Sequence, residues 1–431
     1  MKNESRGWRD GFGVHRMASS LKHRNYRLFF IGQTVSNIGT WMQKVAVSWL
    51  IYRMTGSVFM LGFATFIGQA PSFFLSPFAG VLADRYPRRT LMIVLQTLEL
   101  VQSVVLAALV LSHVAKVWQI LALNCLMGVL NACDLPIRQS FTEEMIEGGE
   151  EHVLGNAIAL NSAMFNLAKL VGPAIAGSLL LFTSEGFCFL MNAVSYLAVL
   201  ASLLLMRLPR RAASTLGVPI FEGLRDGLRY AAESVRIRWT LLLLGAVAFF
   251  GQPHISLLPA FAREVLHGNA RTLGLLMTFQ GLGAVFGTMY LAGRRTAEGI
   301  ERCIVHANVV YGFSLAGFAL SRNVVASLLL IALTGFASMI QMAGCNTLLQ
   351  THTGVEMRGR IMSLYAVAVM GVMPIGSLAG GEIASHIGPS HTVAVGAVVC
   401  TLAGLLYRHM IHERRYGGDM IACQPLEGEL Q

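Results

Sequence analysis

Residues 80–89 of this chain read GVLADRYPRR, a charged turn that follows the second of about twelve hydrophobic stretches. Each stretch is long enough to cross a bilayer, which takes roughly 20 mainly apolar residues in a helix. The alternating pattern of a membrane β-barrel is absent from the sequence. The chain is therefore predicted to be an all-α membrane protein with twelve transmembrane helices. The predicted spans are 28–52, 59–83, 90–111, 117–135, 157–182, 186–206, 239–262, 272–292, 303–321, 324–349, 361–386 and 389–407.

The composition agrees with a membrane location. Of the 431 residues, 54% are hydrophobic and only 13% are charged, which is more apolar surface than one soluble core can bury. The sequence also lacks a phosphate-binding Gly-Lys-Ser/Thr loop, a metal-ligand cluster and a nucleophile motif. We therefore expect no enzymatic activity, no cofactor and no ATP hydrolysis, so any transport must draw its energy from a gradient.

Basic residues are distributed unevenly between the two sides of the predicted bundle. If the amino terminus is cytoplasmic, Lys44 and Lys169 lie within spans, and nearly all the other Lys and Arg residues lie on the cytoplasmic side. The opposite side holds only Arg53, Lys116, Arg263, Arg271 and Arg322. This positive-inside bias predicts a multi-pass protein of the cell (inner or cytoplasmic) membrane with both termini in the cytoplasm. It explains the net charge of +10 without nucleic-acid binding.

The longest polar interruption divides six spans from six. The predicted regions are an amino-terminal tail at 1–27, a six-helix half at 28–206, a linker at 207–238, a second six-helix half at 239–407 and a carboxyl-terminal tail at 408–431. In the linker, Phe221, Leu224 and Leu228 follow helical spacing, which predicts an amphipathic helix on the cytoplasmic leaflet. A solvated linker helix is the alternative.

The two halves echo each other, which indicates pseudo-symmetry. Pro173 in the fifth span corresponds to Pro374 in the eleventh, and glycines lie near both prolines. Proline and glycine at matching places mark helices that bend or pack closely, as in transporters built from repeats. We expect bends at Pro173 and Pro374, and close packing at Gly283 and Gly287 in the eighth span.

These motifs resemble the major facilitator superfamily over residues 20–407. The turn at 80–89 is similar to the superfamily's signature between helices two and three, and residues 172–177 resemble its exporter and antiporter motif. Residues 25–27, 39–42, 55–57, 136–139 and 358–361 resemble the branch of enterobactin exporters, macrolide efflux proteins and lysophospholipid transporters. The resemblance implies two pseudo-symmetric six-helix halves around a central cavity.

The resemblance also implies a gating role for the charged turn. In the superfamily such a turn holds the halves together when the cytoplasmic side is closed, with its aspartate near the amino terminus of the eleventh helix. The residues to which this role is carried over are Gly80, Asp84, Arg85, Arg88 and Arg89. A simple positive-inside anchor is the alternative, and it explains the arginines but not Asp84.

Polar side chains form a stripe along the first span. Gln33, Asn37, Thr40, Lys44 and Ser48 recur every three or four residues, so they lie on one face of the helix. A charge at mid-membrane costs about 2.5–3.5 kcal/mol on insertion scales, so Lys44 is the residue of the stripe with the highest free-energy cost of insertion. We predict that the stripe lines a cavity. Packing against another helix is the alternative.

Other spans carry further polar candidates. In the fifth span Asn166 and Lys169 share the face of the proline, and the fourth span has Asp134 and Arg138 at i, i+4 spacing. That pair contributes to transport or simply neutralises itself. Glu99 in the third span is the best candidate for a proton site, because a carboxyl group taken out of water can load and release a proton. A structural partner role is its alternative.

The second half offers weaker candidates for the cavity. They are Gln252 and His254 in the seventh span, and Gln341 and Asn346 in the tenth. A histidine can titrate near neutral pH, although a lone one is more often a satisfied packing residue.

The predicted function is that of a secondary active exporter working by alternating access. It would move a small amphiphilic molecule outward, against inward proton flow. The two lysines in the cavity helices favour an anion such as a siderophore. Multidrug or macrolide efflux and lysophospholipid transport are alternatives. A non-transporting scaffold or sensor is another, although the chain lacks a sizeable soluble domain to signal with.

Overall fold

The computed structural model describes residues 20–145, 151–206, 220–294 and 299–418. Side chains at 76–85, 135, 143, 151–152, 154, 220–226, 355 and 412–418 lie outside this description. Within it, the chain is helical throughout apart from short connections. The first helices are α1 Arg24–Thr55, α2 Val58–Arg85, α3 Arg88–Leu111, α4 Val117–Met145, α5 Glu151–Leu179, α6 Glu185–Leu205 and α7 Ile220–Glu233. The later ones are α8 Val235–Ala246, α9 Pro253–Ala260, α10 Ala270–Ala292, α11 Ile300–Leu320, α12 Val324–His352, α13 Val355–Ala366, α14 Val372–Ile387 and α15 Pro389–Gly418.

Among the described residues, eleven segments are long and apolar enough to cross a membrane. The helix α1 is not one of them, although its 32 residues suffice to span a bilayer. Its polar stripe, which includes Gln33, Asn37 and Lys44, lowers its hydropathy. With α1 the segments agree with the predicted twelve transmembrane helices, and the all-α prediction is confirmed.

Two predicted spans are interrupted by π-helical turns. The span predicted at 239–262 runs through α8, a π turn at Val247–Gly251, α9 and a second π turn at Phe261–Val265. The span predicted at 361–386 contains a π turn at Val367–Gly371, directly before α14 and its Pro374. Such turns are frequent at functional sites. Pro173, by contrast, lies inside the continuous helix α5.

The chain forms two compact units. The first comprises residues 1–47 and 74–217, and the second comprises 48–73 and 218–431. By its contacts, the segment 48–73 therefore belongs with the second unit, although the sequence places it in the first half. The predicted division at 207–238 stays a prediction. The linker contains α7 as expected, but Phe221 and Leu224 fall outside the described side chains.

The core of the first unit joins α1, α3, α4 and α6. Buried Phe29 of α1 meets Phe141 of α4 edge to face, with ring centroids 5.9 Å apart. About 21 Å further along α1, Gln43 donates to Gln102 at 3.1 Å and accepts from Asn192 at 2.9 Å, so three helices share one buried polar network. Groups that are paired in this way carry little desolvation penalty, and the network fixes how the helices pack.

The second unit is held by close helix contacts. A β-carbon added at Gly287 would lie 3.2 Å from the β-carbon of Met339, and one at Gly283 would lie 2.9 Å from the nitrogen of Phe336. The helices α10 and α12 therefore approach each other through small residues. The predicted packing role of Gly283 and Gly287 is confirmed.

Candidate functional site

A polar cavity of about 40 Å³ lies within the first unit. Its lining comes from α1, α3, α4, α5 and α6 and combines charged, amide, hydroxyl and aromatic side chains. The residues that line it are Gln33, Ser36, Asn37, Thr40, Trp41, Lys44, Gln96, Glu99, Asn131, Asp134, Arg138, Phe165 and Tyr196. A buried water needs about 10–15 Å³ and a drug-sized ligand about 300 Å³ or more. The cavity as it stands can therefore hold one functional group of a cargo, not a whole amphiphile.

A chain of hydrogen bonds connects the two carboxylates of the cavity. The side-chain nitrogen of Gln96 donates to Glu99 at 3.0 Å and to Asp134 at 3.3 Å. Asp134 forms an ion pair with Arg138 at 3.0 Å, and Arg138 donates to the Asn37 oxygen at 3.4 Å. Glu99 and Asp134 are only 3% and 5% exposed, so their charges depend on these partners. The geometry suits reversible loading of a proton.

The cationic side of the cavity is organised around one indole ring. The ammonium group of Lys44 lies 4.5 Å from the ring centre of Trp41, and that of Lys169 lies 5.9 Å from the same centre. Phe165 meets Trp41 edge to face at 5.8 Å. Lys44 is exposed although it lies far from the ends of a spanning helix, and it is one of the lining residues of the cavity.

Three buried polar atoms of the lining have no hydrogen-bond partner among the described residues. They are the side-chain oxygens of Gln33 and Gln96 and the side-chain nitrogen of Asn37. Because Asn37 accepts from Arg138 through its oxygen, its nitrogen is the free donor. Buried groups without partners are costly and are normally satisfied by a ligand or by water. In the described part of the chain no group of His, Cys, Asp and Glu side chains could hold a metal ion.

The structure thus brings together most of the residues predicted in the first half. Gln33, Asn37 and Lys44 line the cavity, and Glu99 lines it together with the ion pair that the fourth span contributes. The predicted cavity residues Asn166 and Lys169 are not among the lining residues. The amide of Asn166 donates to the backbone oxygen of Ser162 in its own helix at 2.9 Å, and Lys169 lies beside the ring of Trp41.

The candidates of the second half lie in the second unit and have other partners. His254 is bonded through one ring nitrogen to the backbone oxygen of Gly251 at 2.6 Å and through the other to Gln280 at 2.9 Å. Gln341 is buried in α12, Asn346 accepts from its neighbour Gln350 at 2.6 Å, and Gln252 ends the first π turn. A satisfied packing histidine describes His254 well.

The predicted gating turn is only partly described. The side chains of Gly80, Asp84 and Arg85 lie outside the described residues. Arg88 donates to the backbone oxygen of Ser140 at 3.0 Å, and Arg89 donates to that of Leu203 at 2.9 Å. Leu203 belongs to the last turn of α6, whose carbonyl groups lack helical partners, so Arg89 caps that helix. Within the first unit these two arginines each contact the backbone of another helix, and the gating role of the turn stays a prediction.

Sequence reasoning missed the aromatic lining and a contact in the second unit. Trp41 lies between Asn37 and Lys44 on the same helical face, and that spacing could have identified it. The second contact joins the Tyr52 hydroxyl to the Glu264 carboxylate. No local pattern indicates it, since the two residues are 212 positions apart.

Comparison with known proteins identifies relatives of this chain. The chain is 25% identical to the staphyloferrin A transporter of Staphylococcus aureus over 82% of this chain and 87% of that protein. It is 25% identical to the enterobactin exporter EntS of Salmonella typhi, covering 91% and 94% of the two chains. It is 21% identical to macrolide efflux protein A of Streptococcus pyogenes, covering 86% and 93%.

Solved structures agree on the fold. The nucleoside transporter NupG superposes with a TM-score of 0.68 at 14% identity over 91% of this chain and 99% of that one. A POT family transporter superposes with a TM-score of 0.69 at 11% identity over 89% and 95%. The profile of the transmembrane secretion effector family matches residues 16–430. The chain therefore belongs to the transmembrane secretion effector family of major facilitator superfamily transporters, and it is a multi-pass membrane transporter rather than an enzyme.

Proposed function

We propose that this transporter exports a small amphiphilic anion of the siderophore type across the cytoplasmic membrane, driven by inward proton flow. The observation that carries the proposal is the cavity of the first unit, in which Glu99 and Asp134 share Gln96. Lys44 lines the same cavity, and Lys169 lies next to the lining residue Trp41. Carboxylates within a membrane bundle are costly and commonly mark proton relays, and cations beside them provide for an anionic cargo. Two relatives bear the names of siderophore transporters.

Orientation follows from the distribution of basic residues. The positive-inside bias puts the end of α1 that carries Arg53 on the outer side, and with it Tyr52 and Glu264. In alternating access one side closes while the other opens. The hydrogen bond from Tyr52 to Glu264 therefore lies, on this proposal, at the outer end of the second unit.

Transport in proteoliposomes tests the proposal. The purified protein is reconstituted, and uptake of staphyloferrin A, enterobactin, a macrolide and a lysophospholipid is measured with and without an acidic lumen. Inverted molecules should take up a siderophore faster when the lumen is acidic. Glu99→Gln should remove that acceleration, because an amide cannot carry the proton. Glu233→Gln is the control, since Glu233 is exposed on α7 and should leave the acceleration intact.

The lysines test the anionic nature of the cargo. Lys44→Gln and Lys169→Gln should each reduce siderophore uptake, by roughly tenfold if one charge interaction of about 1.4 kcal/mol is lost. Unchanged rates in both variants would contradict an anion site here.

Macrolide efflux is the second candidate. It is supported by the similarity to macrolide efflux protein A and by the aromatic lining of the cavity. If the same liposomes take up the macrolide but neither siderophore, macrolide efflux is supported and siderophore export is rejected.

A further inference from the structure

The indole of Trp41 is the common neighbour of both lysines in the first unit. Its ring centre lies 4.5 Å from the ammonium group of Lys44 and 5.9 Å from that of Lys169, on two different helices. An ammonium group within about 6 Å of an indole is attracted to its electron-rich face. The ring therefore attracts both ammonium groups, which offsets part of the cost of holding two like charges near one point.

A close approach of α5 to α1 at Gly172 supports this arrangement. A β-carbon on Gly172 of α5 would lie 2.6 Å from the β-carbon of Trp41 and 2.9 Å from the backbone oxygen of Ile38. Only glycine allows α5 to approach α1 so closely at this level. Gly172 thus brings Lys169 to the indole, which gives a physical role to the Gly-Pro motif of the fifth span.

In the part of the chain that the structure describes, neither Lys44 nor Lys169 forms an ion pair with a carboxylate. Asp134 is already paired with Arg138. The free side-chain nitrogen of Asn37, 8% exposed, adds an unpartnered donor to the same lining. Lys44 and the free donor of Asn37 in the lining, with Lys169 next to Trp41, match an acidic group with several acceptor oxygens.

The surface next to the cations is aromatic. Phe165 lines the cavity, is 44% exposed and stands edge to face with Trp41 at 5.8 Å. An exposed ring beside a charged site contributes binding energy through an apolar group adjacent to the charge. The cavity holds only one functional group, so the rest of the cargo must extend past this ring.

We propose that Trp41 positions Lys44 and Lys169 as a two-ammonium site for the carboxylate of the cargo. Phe165 contacts the ring or chain next to that carboxylate. This inference rests on the proposed export of an anion and narrows it to carboxylates that carry an apolar group. Trp41 is then a positioning residue, and Phe165 determines specificity.

Equilibrium binding without any gradient tests the assignment. Full-length protein in lipid nanodiscs is titrated with 2-naphthoate, with the neutral 2-naphthalenemethanol and with the non-aromatic cyclohexanecarboxylate. Trp41→Leu should weaken binding of both carboxylates by about tenfold and leave the neutral alcohol within about twofold. Trp41→Phe should retain most of the affinity, because a phenyl ring still attracts ammonium groups. Phe165→Ala should weaken naphthoate more than cyclohexanecarboxylate.

Trp118→Leu is the matched control, since Trp118 is 65% exposed and does not line the cavity. Equal losses for the anions and the alcohol in Trp41→Leu, or a Trp41→Phe variant as weak as Trp41→Leu, would overturn the positioning role. Naphthoate binding unaffected by Trp41→Leu would overturn it as well. Wild-type protein that binds none of the carboxylates contradicts anion export itself. Normal binding together with transport insensitive to a proton gradient contradicts only the proton coupling.

Discussion

The hydroxyl group of Tyr52 donates a hydrogen bond to the carboxylate of Glu264, joining the end of α1 to the π turn that follows α9. Tyr52 is 2% exposed, whereas Glu264 is exposed. Nearby in the same unit, Gly62 of α2 faces Gly381 of α14. The segment 48–73 is therefore attached to the rest of the second unit at two places.

Removing the hydrogen bond should loosen this contact. In Tyr52→Phe the carboxylate loses a donor worth about 1.5 kcal/mol, so local opening at this contact should become roughly tenfold more frequent. Hydrogen exchange followed by mass spectrometry should show faster exchange in peptides covering 48–57 and 261–268. Tyr290→Phe is the control, because Tyr290 is 49% exposed and packs against Phe336 instead. Unchanged exchange in Tyr52→Phe would show that the bond does not hold this end closed.

The glycine contact predicts a second effect on the same equilibrium. A β-carbon at Gly62 would lie 2.9 Å from the α-carbon and 3.2 Å from the nitrogen of Gly381. Gly62→Ala must therefore push α2 and α14 apart, which should lower the apparent unfolding temperature and speed exchange in 58–73. Gly245→Ala has open space and should be neutral or slightly stabilising, since alanine favours a helix by about 1 kcal/mol. Equal unfolding temperatures and equal exchange rates in Gly62→Ala and Gly245→Ala would contradict the close contact.

The sequence predicts much of the fold and of the cavity. Helical spacing puts Gln33, Asn37 and Lys44 on one face, and a polar face within a membrane must meet protein or water, so the spacing alone predicts the stripe. Glu99 is predicted in the same way, because a carboxylate within a spanning segment is costly and is usually retained for a function. These predictions depend on local periodicity and composition, which a single helix is enough to express.

What the sequence does not predict depends on long-range packing. Tyr52 looks like an ordinary tyrosine near a membrane surface, and only the fold brings it to Glu264. The π turns leave no composition signal. His254 shows the converse, because a histidine in a helix looks the same whether it faces a cavity or is satisfied by Gly251 and Gln280.

The ion pair of Asp134 and Arg138 predicts non-additive effects on stability. Both side chains are largely buried, at 7% and 15% exposure. Asp134→Leu or Arg138→Met alone leaves one buried charge unpaired and should cost about 3 kcal/mol, whereas the double variant should cost much less than the sum. Apparent unfolding temperatures measure this. The exposed pair of Arg229 and Glu233 is the control and should contribute under about 1 kcal/mol. Additive losses at Asp134 and Arg138 would show that they act independently.

The charge balance of the cavity predicts the sign of a pH effect on binding. Glu99 faces Asp134, Arg138 and Lys44 across the cavity. Protonation of Glu99 removes one negative charge, so an anion such as 2-naphthoate should bind more tightly at low pH and lose affinity as the pH rises through the titration of Glu99. A cationic probe should show the opposite. Glu99→Gln should bind naphthoate as the protonated protein does at every pH.

The sign of this pH effect on binding distinguishes an anionic cargo from a cationic macrolide. Exchange of cargo against protons requires that the form carrying both does not cross the membrane. A cationic macrolide competes with a proton on Glu99 by charge alone. A carboxylate binds together with that proton, so its export against protons requires that the doubly loaded form does not change the side to which it opens. Binding titrations from pH 5.5 to about 8.5, on either side of neutrality, measure whether the affinity for each cargo rises or falls with pH. Tighter binding of the macrolide than of naphthoate at high pH, lost in Glu99→Gln, would reject the anion and favour drug efflux.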